Sequence, residues 1–443
     1  MKRRTLLTGA AALAAAPISG AYAQAKTKII WWHAMPAALG EEVNRLAREF
    51  NASQAIYEVE AIFKGTYTET LTAAIAAFRA GQAPHIVQMF EVGTGSMLAA
   101  GPAVKQIWQL AQETGVALNP EGYVGAVRGY YSLPDGKLAS MPFNSSTAIM
   151  WYNKDAFEKA GLDPNAPPAT WADVIKTAQA LKAKDAAPNA MTTSWPTWIQ
   201  LEQYSALHNL PFSTKENGFA GLDTELKINS PQHVKHIQRL LDMAKDGLFK
   251  YGGRDNAADG LYPAGEAAIG FMSSASRATI SRTAKFKWAA APLPYDPEII
   301  AEPINGVIGG ASLWVMNSPS RAPAEYKGVA EFFRFLAQPK VDATWSQNTG
   351  YVPITLGGYE ENKSSGYYDK NPGSDVAIKQ LLRGKLTENS KGFRLGRMVE
   401  LRNIIQEELE AGLQGKQGAQ AAMDNAVTRG NKVLREFEKS VKG

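Results

Sequence analysis

Alternation of strand-type and helix-type patterning constrains this chain more than any other feature. Ile29-Ile30-Trp31-Trp32 is a short apolar run of the kind a buried strand gives. Leu39, Val43, Leu46, Ala47 and Phe50 then recur at helical spacing. Tyr57 to Phe63 reads as a second strand, Leu71, Ile75 and Phe78 mark a second helix, and Ile86 to Phe90 reads as a third strand. A β-α-β-α-β order implies a mostly parallel sheet covered by helices, with ligands held beyond the carboxyl ends of the strands. That rule singles out the Lys64-Gly65-Thr66-Tyr67 loop and the Glu91-Val92-Gly93-Thr94 turn.

After Ser140 the pattern begins again. Ser146 to Tyr152 is strand-like, and Thr170 is placed to cap a helix that starts near Trp171. Helical periodicity dominates from Pro231 to Lys245, and a glycine-rich turn, Gly306 to Gly310, runs into a strand at Ala311–Val315. The tail from Val399 to Lys442 is mainly helical. With 443 residues the chain suits two lobes of about 200 residues each rather than one core. The expected division is residues 24–140 with 305–352 in one lobe and 141–304 with 353–443 in the other. The chain then crosses between the lobes more than once.

The start of the chain is set apart. Lys2, Arg3 and Arg4 precede an apolar stretch from Leu6 to Ile18, followed by Ala21-Tyr22-Ala23, so residues 1–23 read as a signal peptide. Arg3-Arg4 loosely matches a twin-arginine signal; the general secretory route is the favoured reading. Removing this leader takes away three cations, and the formal net charge falls from +5 to +2. The nearly balanced remainder gives no reason to expect a nucleic-acid partner. There are no cysteines, which excludes disulfides, thiol chemistry and thiolate metal sites.

Catalytic signatures are missing. There is no GxxxxGK[ST] and no GxSxG, and Gly93-Thr94-Gly95 lacks the third glycine of a dinucleotide fingerprint, so it reads as a helix-entry turn. His233 and His236 stand at i, i+3 with no third ligand nearby and read as a solvated helix face rather than a metal site. Trp195-Pro196-Thr197-Trp198 places two indoles beside Ser194; their faces suit the C–H surface of glycerol or sugar, or else they pack between lobes. Asn144-Ser145-Ser146 and Ser273-Ser274 offer neutral donors where the chain is expected to cross or to leave a strand. Each serine pair alone is more often a cap or a turn.

At these residues the chain resembles the periplasmic sn-glycerol-3-phosphate-binding proteins of the Ugp ABC uptake systems, within the maltodextrin-binding-like class of solute-binding proteins. The strings that carry the resemblance run through the whole chain after the leader. They include Phe78-Arg79-Ala80-Gly81-Gln82-Ala83-Pro84, Pro142-Phe143-Asn144-Ser145-Ser146-Thr147, Trp198-Ile199-Gln200-Leu201-Glu202, Ile308-Gly309-Gly310-Ala311-Ser312-Leu313-Trp314 and Thr349-Gly350-Tyr351. Tyr152-Asn153-Lys154-Asp155-Ala156-Phe157 marks only the wider class.

The resemblance implies two α/β lobes, each a mostly parallel sheet flanked by helices, closing on ligand by a hinge. Matched string by string, it implies a ligand site of Tyr67, Glu91, Ser146, Trp195, Trp198, Ser273, the Gly310 N–H, Tyr351 and Arg402. On charge grounds Arg402, the serines, Tyr351 and Gly310 suit the phosphate. Glu91 accepts from the glycerol hydroxyls at the opposite end, and the tryptophans cover the carbon chain. Ser274 competes with Ser273, and Arg394 and Arg397 compete with Arg402. The segments 186–191 and 317–325 fit the family pattern poorly. The expectation is a periplasmic monomer and not an enzyme, with no cofactor and no metal. It would bind sn-glycerol 3-phosphate or a glycerophosphodiester and deliver it to inner-membrane permease subunits driven by an ATPase. The rivals are a binder of neutral oligosaccharides and an exported phosphodiester hydrolase.

Overall fold

A computed structural model describes residues 25–442, so the leader read at 1–23 lies outside the described residues. Strands form where the apolar runs stand. β1 (Thr27–His33), β2 (Tyr57–Phe63) and β3 (Ile86–Phe90) pair in parallel in the order β2-β1-β3, and the helices Ala37–Ser53 and Tyr67–Arg79 make the crossovers. Ile29 and Trp31 join Val43, Leu46 and Phe50 in one core, so the period-2 and period-3.6 patterns meet as read. On Tyr67–Arg79 the buried positions are Thr70 and Ala74, whereas Ile75 and Phe78 are exposed. Of the three apolar residues that announced this helix, only Leu71 packs against the core.

The remaining strands are β4 (Val104–Lys105), β5 (Met141–Ser146), β6 (Ala148–Asn153), β7 (Asn189–Thr193), β8 (Phe249–Tyr251), β9 (Ala267–Ser273), β10 (Trp288–Ala291) and β11 (Gly309–Met316). β11 sits inside the first sheet, antiparallel to β3 on one side and to β4 and β5 on the other. The second sheet runs β10-β6-β9-β7-β8, with β7 parallel to β8 and β9, and β6 antiparallel to β9 and β10. Both sheets are thus mixed rather than mostly parallel. The cause is the way strands arrive: β11 and β6 enter from the other lobe and not through a crossover helix, so nothing forces them parallel. Thr170 does cap the helix Trp171–Ala183, accepting from the Asp173 N–H at 3.2 Å. The helices Pro231–Lys245, Met398–Leu413 and Ala419–Lys442 pack together beyond the second sheet.

The chain first changes sheets at Thr147, since Ser146 closes β5 and Ala148 opens β6. That is six residues later than the expected 140/141 boundary, because Met141–Ser146 still pairs with β11. It returns through Asn305–Ile308 into β11. The Thr147 hydroxyl donates to the Val307 carbonyl at 2.9 Å, and Gln203 clamps both strands of the crossing: its amide donates to the Thr147 hydroxyl at 3.2 Å and to the Val307 carbonyl at 2.7 Å, and accepts from the Val307 N–H at 3.1 Å. A third crossing leads from the helix Leu356–Ser364, packed on Pro339–Thr349, to the helix Val376–Leu381, packed on β6.

His233 and His236 do not face solvent. Both are fully buried: His233 bonds the Ser205 and Ser230 hydroxyls, and His236 bonds Gln200 and Arg239. Burial holds both imidazoles below their ordinary pKa, and so neutral. The face they lie on is covered by Trp171, Tyr204 and the Gln200–Ser205 stretch, so these polar positions had to be satisfied internally.

Candidate ligand-binding cleft

The carboxyl ends of β3 and β5, the glycine-rich entry to β11 and the segments after β7 and β9 converge where the lobes meet. Tyr67 opens its helix behind a Thr66–Glu69 capping box, and Gly65, at φ +89°, turns the chain into it. The Tyr67 ring stacks on Phe90 at 5.3 Å and 5°. Its hydroxyl accepts from the Asn144 amide at 2.9 Å, and that amide is oriented in turn by Gln88 at 2.7 Å. Tyr351 stacks on Trp345 at 5.9 Å and 9°. Burial pushes both phenols above their ordinary pKa, Tyr67 with the Tyr351 phenol close by, so both keep their protons and can donate.

Gly310 has φ +99°, and a Cβ there would strike the Asn144 carbonyl, so only glycine lets β11 pass β5 this closely. Next to it, Gly309 lies against the Trp198 indole and stands in register with Ser146. Trp198 is buried, while Trp195 is half-buried and holds φ +45°, an αL conformation that only surrounding structure sustains. Ser273 caps the turn that follows β9, accepting from the Ala275 N–H at 3.2 Å. The Ser274 hydroxyl, the Ser145 hydroxyl, the Ser194 hydroxyl and the Trp198 indole N–H are buried without a hydrogen-bond partner. Orphaned polar atoms are costly, and these four lie on segments that line the junction, though others are found elsewhere in the chain.

Arg402 behaves differently from the expectation. Its guanidinium forks onto Glu202, with 2.7 Å from Nε to Oε1 and 2.7 Å from Nη2 to Oε2, and Nη2 also donates to Glu91 at 2.9 Å. All three side chains are buried. Burial works against the charge on Arg402, yet Glu202 and Glu91 outweigh it and hold its pKa above the ordinary value. Burial lifts Glu91, with Arg402 pulling the other way. Placing Arg402 at a phosphate end and Glu91 at the opposite end is therefore wrong: the two touch. A bidentate partner from the second lobe, Glu202, takes the fork that was reserved for phosphate.

The competing arginines lie elsewhere. Arg394 donates to the Tyr130 and Ser132 carbonyls at 2.9 and 2.6 Å, and Arg397 pairs at the surface with Glu436. Sequence reasoning missed Glu202 and left Asn144 as one of several neutral donors. Glu202 closes a π-helical turn, Trp198–Glu202, in which the Gln203 N–H reaches the Trp198 carbonyl. Such turns recur at functional sites. The signal was an acid closing a stretch in which Trp198, Ile199 and Leu201 are apolar, Trp198-Ile199-Gln200-Leu201-Glu202, all five of them buried. Among the described residues no group of three or more His, Cys, Asp or Glu is placed to hold a metal, and no helix is long and apolar enough to cross a membrane.

Residues 35–343 match the model of the bacterial extracellular solute-binding protein family. The sn-glycerol-3-phosphate-binding periplasmic protein UgpB of Rhizobium meliloti (strain 1021) is 46% identical over 412 residues, 93% of this chain and 95% of that one. UgpB of Escherichia coli O1:K1 / APEC is 46% identical over 434 residues, 98% of each chain. Among solved structures, UgpB from Mycobacterium tuberculosis in complex with glycerophosphocholine superposes with a TM-score of 0.78 at 22% identity, covering 93% of this chain and 99% of that one. A cyclic α-maltosyl-1,6-maltose-binding protein from Arthrobacter globiformis gives 0.75 at 19% identity, covering 93% and 100%. The two mixed sheets joined by crossing strands are the fold these neighbours share, and at 46% identity over nearly the full length this chain belongs to the bacterial extracellular solute-binding proteins and, within them, to the UgpB family.

Proposed function

We propose that this chain captures sn-glycerol 3-phosphate or a glycerophosphodiester in the periplasm and hands it to inner-membrane permease subunits energised by an ATPase. It acts as a monomer, without cofactor and without chemistry of its own; the leader at 1–23 directs its export. The names of the 46%-identical relatives support the ligand class and the compartment. The observation that carries the reading is the filled fork of Arg402. One cation against two carboxylates leaves that cluster at −1, which repels a phosphate and suits hydroxyls that can donate to Glu91 and accept from spare guanidinium N–H groups. The glycerol diol belongs there. The phosphate belongs on the neutral donors: the Tyr67 and Tyr351 phenols, the Ser146 and Ser273 hydroxyls and the Gly310 N–H. Neutral donors can hold one negative charge if each is already fixed in place. Trp195 and Trp198 cover the carbon chain between the two ends.

Calorimetric titration with sn-glycerol 3-phosphate, glycerophosphocholine, inorganic phosphate, glycerol and maltose tests this. Binding of the phosphate esters, with phosphate and glycerol each far weaker, is the expected pattern, because each fragment fills only one end. Binding of maltose without the esters would return the assignment to the oligosaccharide binders. Release of choline from glycerophosphocholine would make the chain a hydrolase.

A further inference from the structure

A polar residue interrupts the apolar strand that leads to the cleft. β3 reads Ile86-Val87-Gln88-Met89-Phe90, all five buried, and Gln88 is fully so. A buried amide needs partners for both its oxygen and its nitrogen. The Gln88 Oε1 accepts from the Ala34 N–H, just past β1, at 2.7 Å, and its Nε2 donates to Asn144 Oδ1, on β5, at 2.7 Å. β11 lies between β3 and β5, so the second bond spans a strand. Asn144, also fully buried, donates from Nδ2 to the Tyr67 hydroxyl at 2.9 Å. No side-chain atom of either amide is orphaned. The direction of this relay is set at its start. A backbone N–H can only donate, so the Gln88 oxygen faces Ala34 and its nitrogen faces Asn144. Asn144 can meet that nitrogen only with its oxygen, which leaves its own nitrogen for Tyr67. Reversing either amide would set donor against donor. The last member is a hydroxyl with one proton, and an N–H already occupies its side toward Asn144. Among the described residues the Tyr67 hydroxyl makes no other hydrogen bond, and its ring is held by stacking on Phe90. Its proton is therefore left for whatever enters the cleft.

We infer that Gln88 is a positioning residue for ligand binding: through Asn144 it commits the Tyr67 hydroxyl to donate, and so favours a charged, acceptor-only oxygen at that point of the cleft. The inference rests on the phosphate-ester reading above and adds the residue that sets the polarity of one of its donors. Gln88 itself stays behind the cleft wall and acts only through Asn144 and Tyr67. A donor fixed before the ligand arrives needs no reorientation on binding, and its hydrogen bond to a charged oxygen is stronger than one to a neutral group. With the relay cut, nothing holds the Asn144 oxygen toward β3. Asn144 is then free to turn, and the Tyr67 proton can be spent on the Asn144 oxygen instead of the ligand.

The test is a double-mutant cycle on Gln88 and Tyr67, read by calorimetric titration with glycerophosphocholine and with sn-glycerol 3-phosphate. Tyr67→Phe removes the proton and should lose about tenfold or more in affinity for both ligands. Gln88→Met, close in size and unable to donate, should lose about fivefold to tenfold when Tyr67 is present and less than about twofold in the Tyr67→Phe background. A residue that merely holds β3 against β5 would cost the same factor in both backgrounds. Gln88→Leu repeats the cycle should methionine misfit, and a melting curve confirms that each variant is folded. A factor equal in the two backgrounds, unity included, overturns the relay and leaves the phosphate-ester reading standing. Tyr67→Phe binding as tightly as wild type does the same. If wild type binds neither ester, that reading falls and the relay with it.

Discussion

Replacing Arg402 by alanine removes the only countercharge, among the described residues, of two buried carboxylates. Glu202 is fully buried and Glu91 is 5% exposed, and both are within 2.9 Å of the guanidinium. At an effective dielectric of about 20, unit charges about 3 Å apart attract by roughly 5 kcal/mol. Repulsion between the two carboxylates takes back part of that gain, and partial protonation limits the loss. Removing one partner of a buried pair typically costs about 3–5 kcal/mol. For a lobe of about 200 residues, each 1 kcal/mol moves the melting temperature by about 2–4 °C, so a fall of roughly 6–20 °C is expected. The deficit should depend on pH in a definite direction. Carboxylates whose folded pKa is raised, as burial already raises Glu91, bind more protons in the folded than in the unfolded state between the two pKa values. Their penalty is complete above the folded pKa and vanishes below the unfolded one, so the gap between wild type and Arg402→Ala should narrow from pH 8 to pH 5. Differential scanning calorimetry at both pH values is the assay. An Arg402→Ala protein that melts with wild type at pH 8 and has lost only its ligand would refute the buried-triad reasoning.

Other substitutions probe the rest of the cleft. Gly310→Ala combines a φ of +99° with a clash on the Asn144 carbonyl and should destabilise by about 2–4 kcal/mol, read as a lower denaturant midpoint at unchanged slope. Trp198→Ala empties a buried indole site and should cost about 3–5 kcal/mol of stability together with the ligand. Trp195→Ala, at a half-buried position, should weaken binding by about 1–3 kcal/mol and move the melting temperature little. Equal thermal losses for the two tryptophans would mean that Trp195 is core and not cleft.

Much of the fold was legible because local patterns were unambiguous. β1 to β3 stand at the apolar runs, Pro231–Lys245 is the helix its periodicity drew, and Thr170 caps where expected. What failed depended on contacts far apart in sequence. Residues 141–153 look like one continuous buried run, yet they are split at Thr147 between two sheets, and only the pairing of β5 with β11 shows it. His233 and His236 read as surface because nothing local announces that Trp171, Tyr204, Ser205 and Gln200 cover them. In the cleft, residue types were carried over by matching strings, and the structure brings Tyr67, Glu91, Ser146, Trp198, Gly310 and Arg402 to one junction. Their roles depended on charge neighbours, and the neighbour that decides the role of Arg402, Glu202, lies 200 residues away.

The position of β11 has a consequence for how the chain is made. Its residues, 309–316, fill the gap between β3 on one side and β4 and β5 on the other. A ribosome that delivers the first five strands in order delivers a sheet without its middle, and the edges of β3 and β5 have nothing to bond until residue 316 has emerged. Closing a loop across more than 160 residues is slow, and the lobe cannot finish ahead of it. The nascent first lobe thus stays loose for most of the time needed to make the chain. A polypeptide exported as an extended thread benefits from such a delay, and this strand order is one way to supply it.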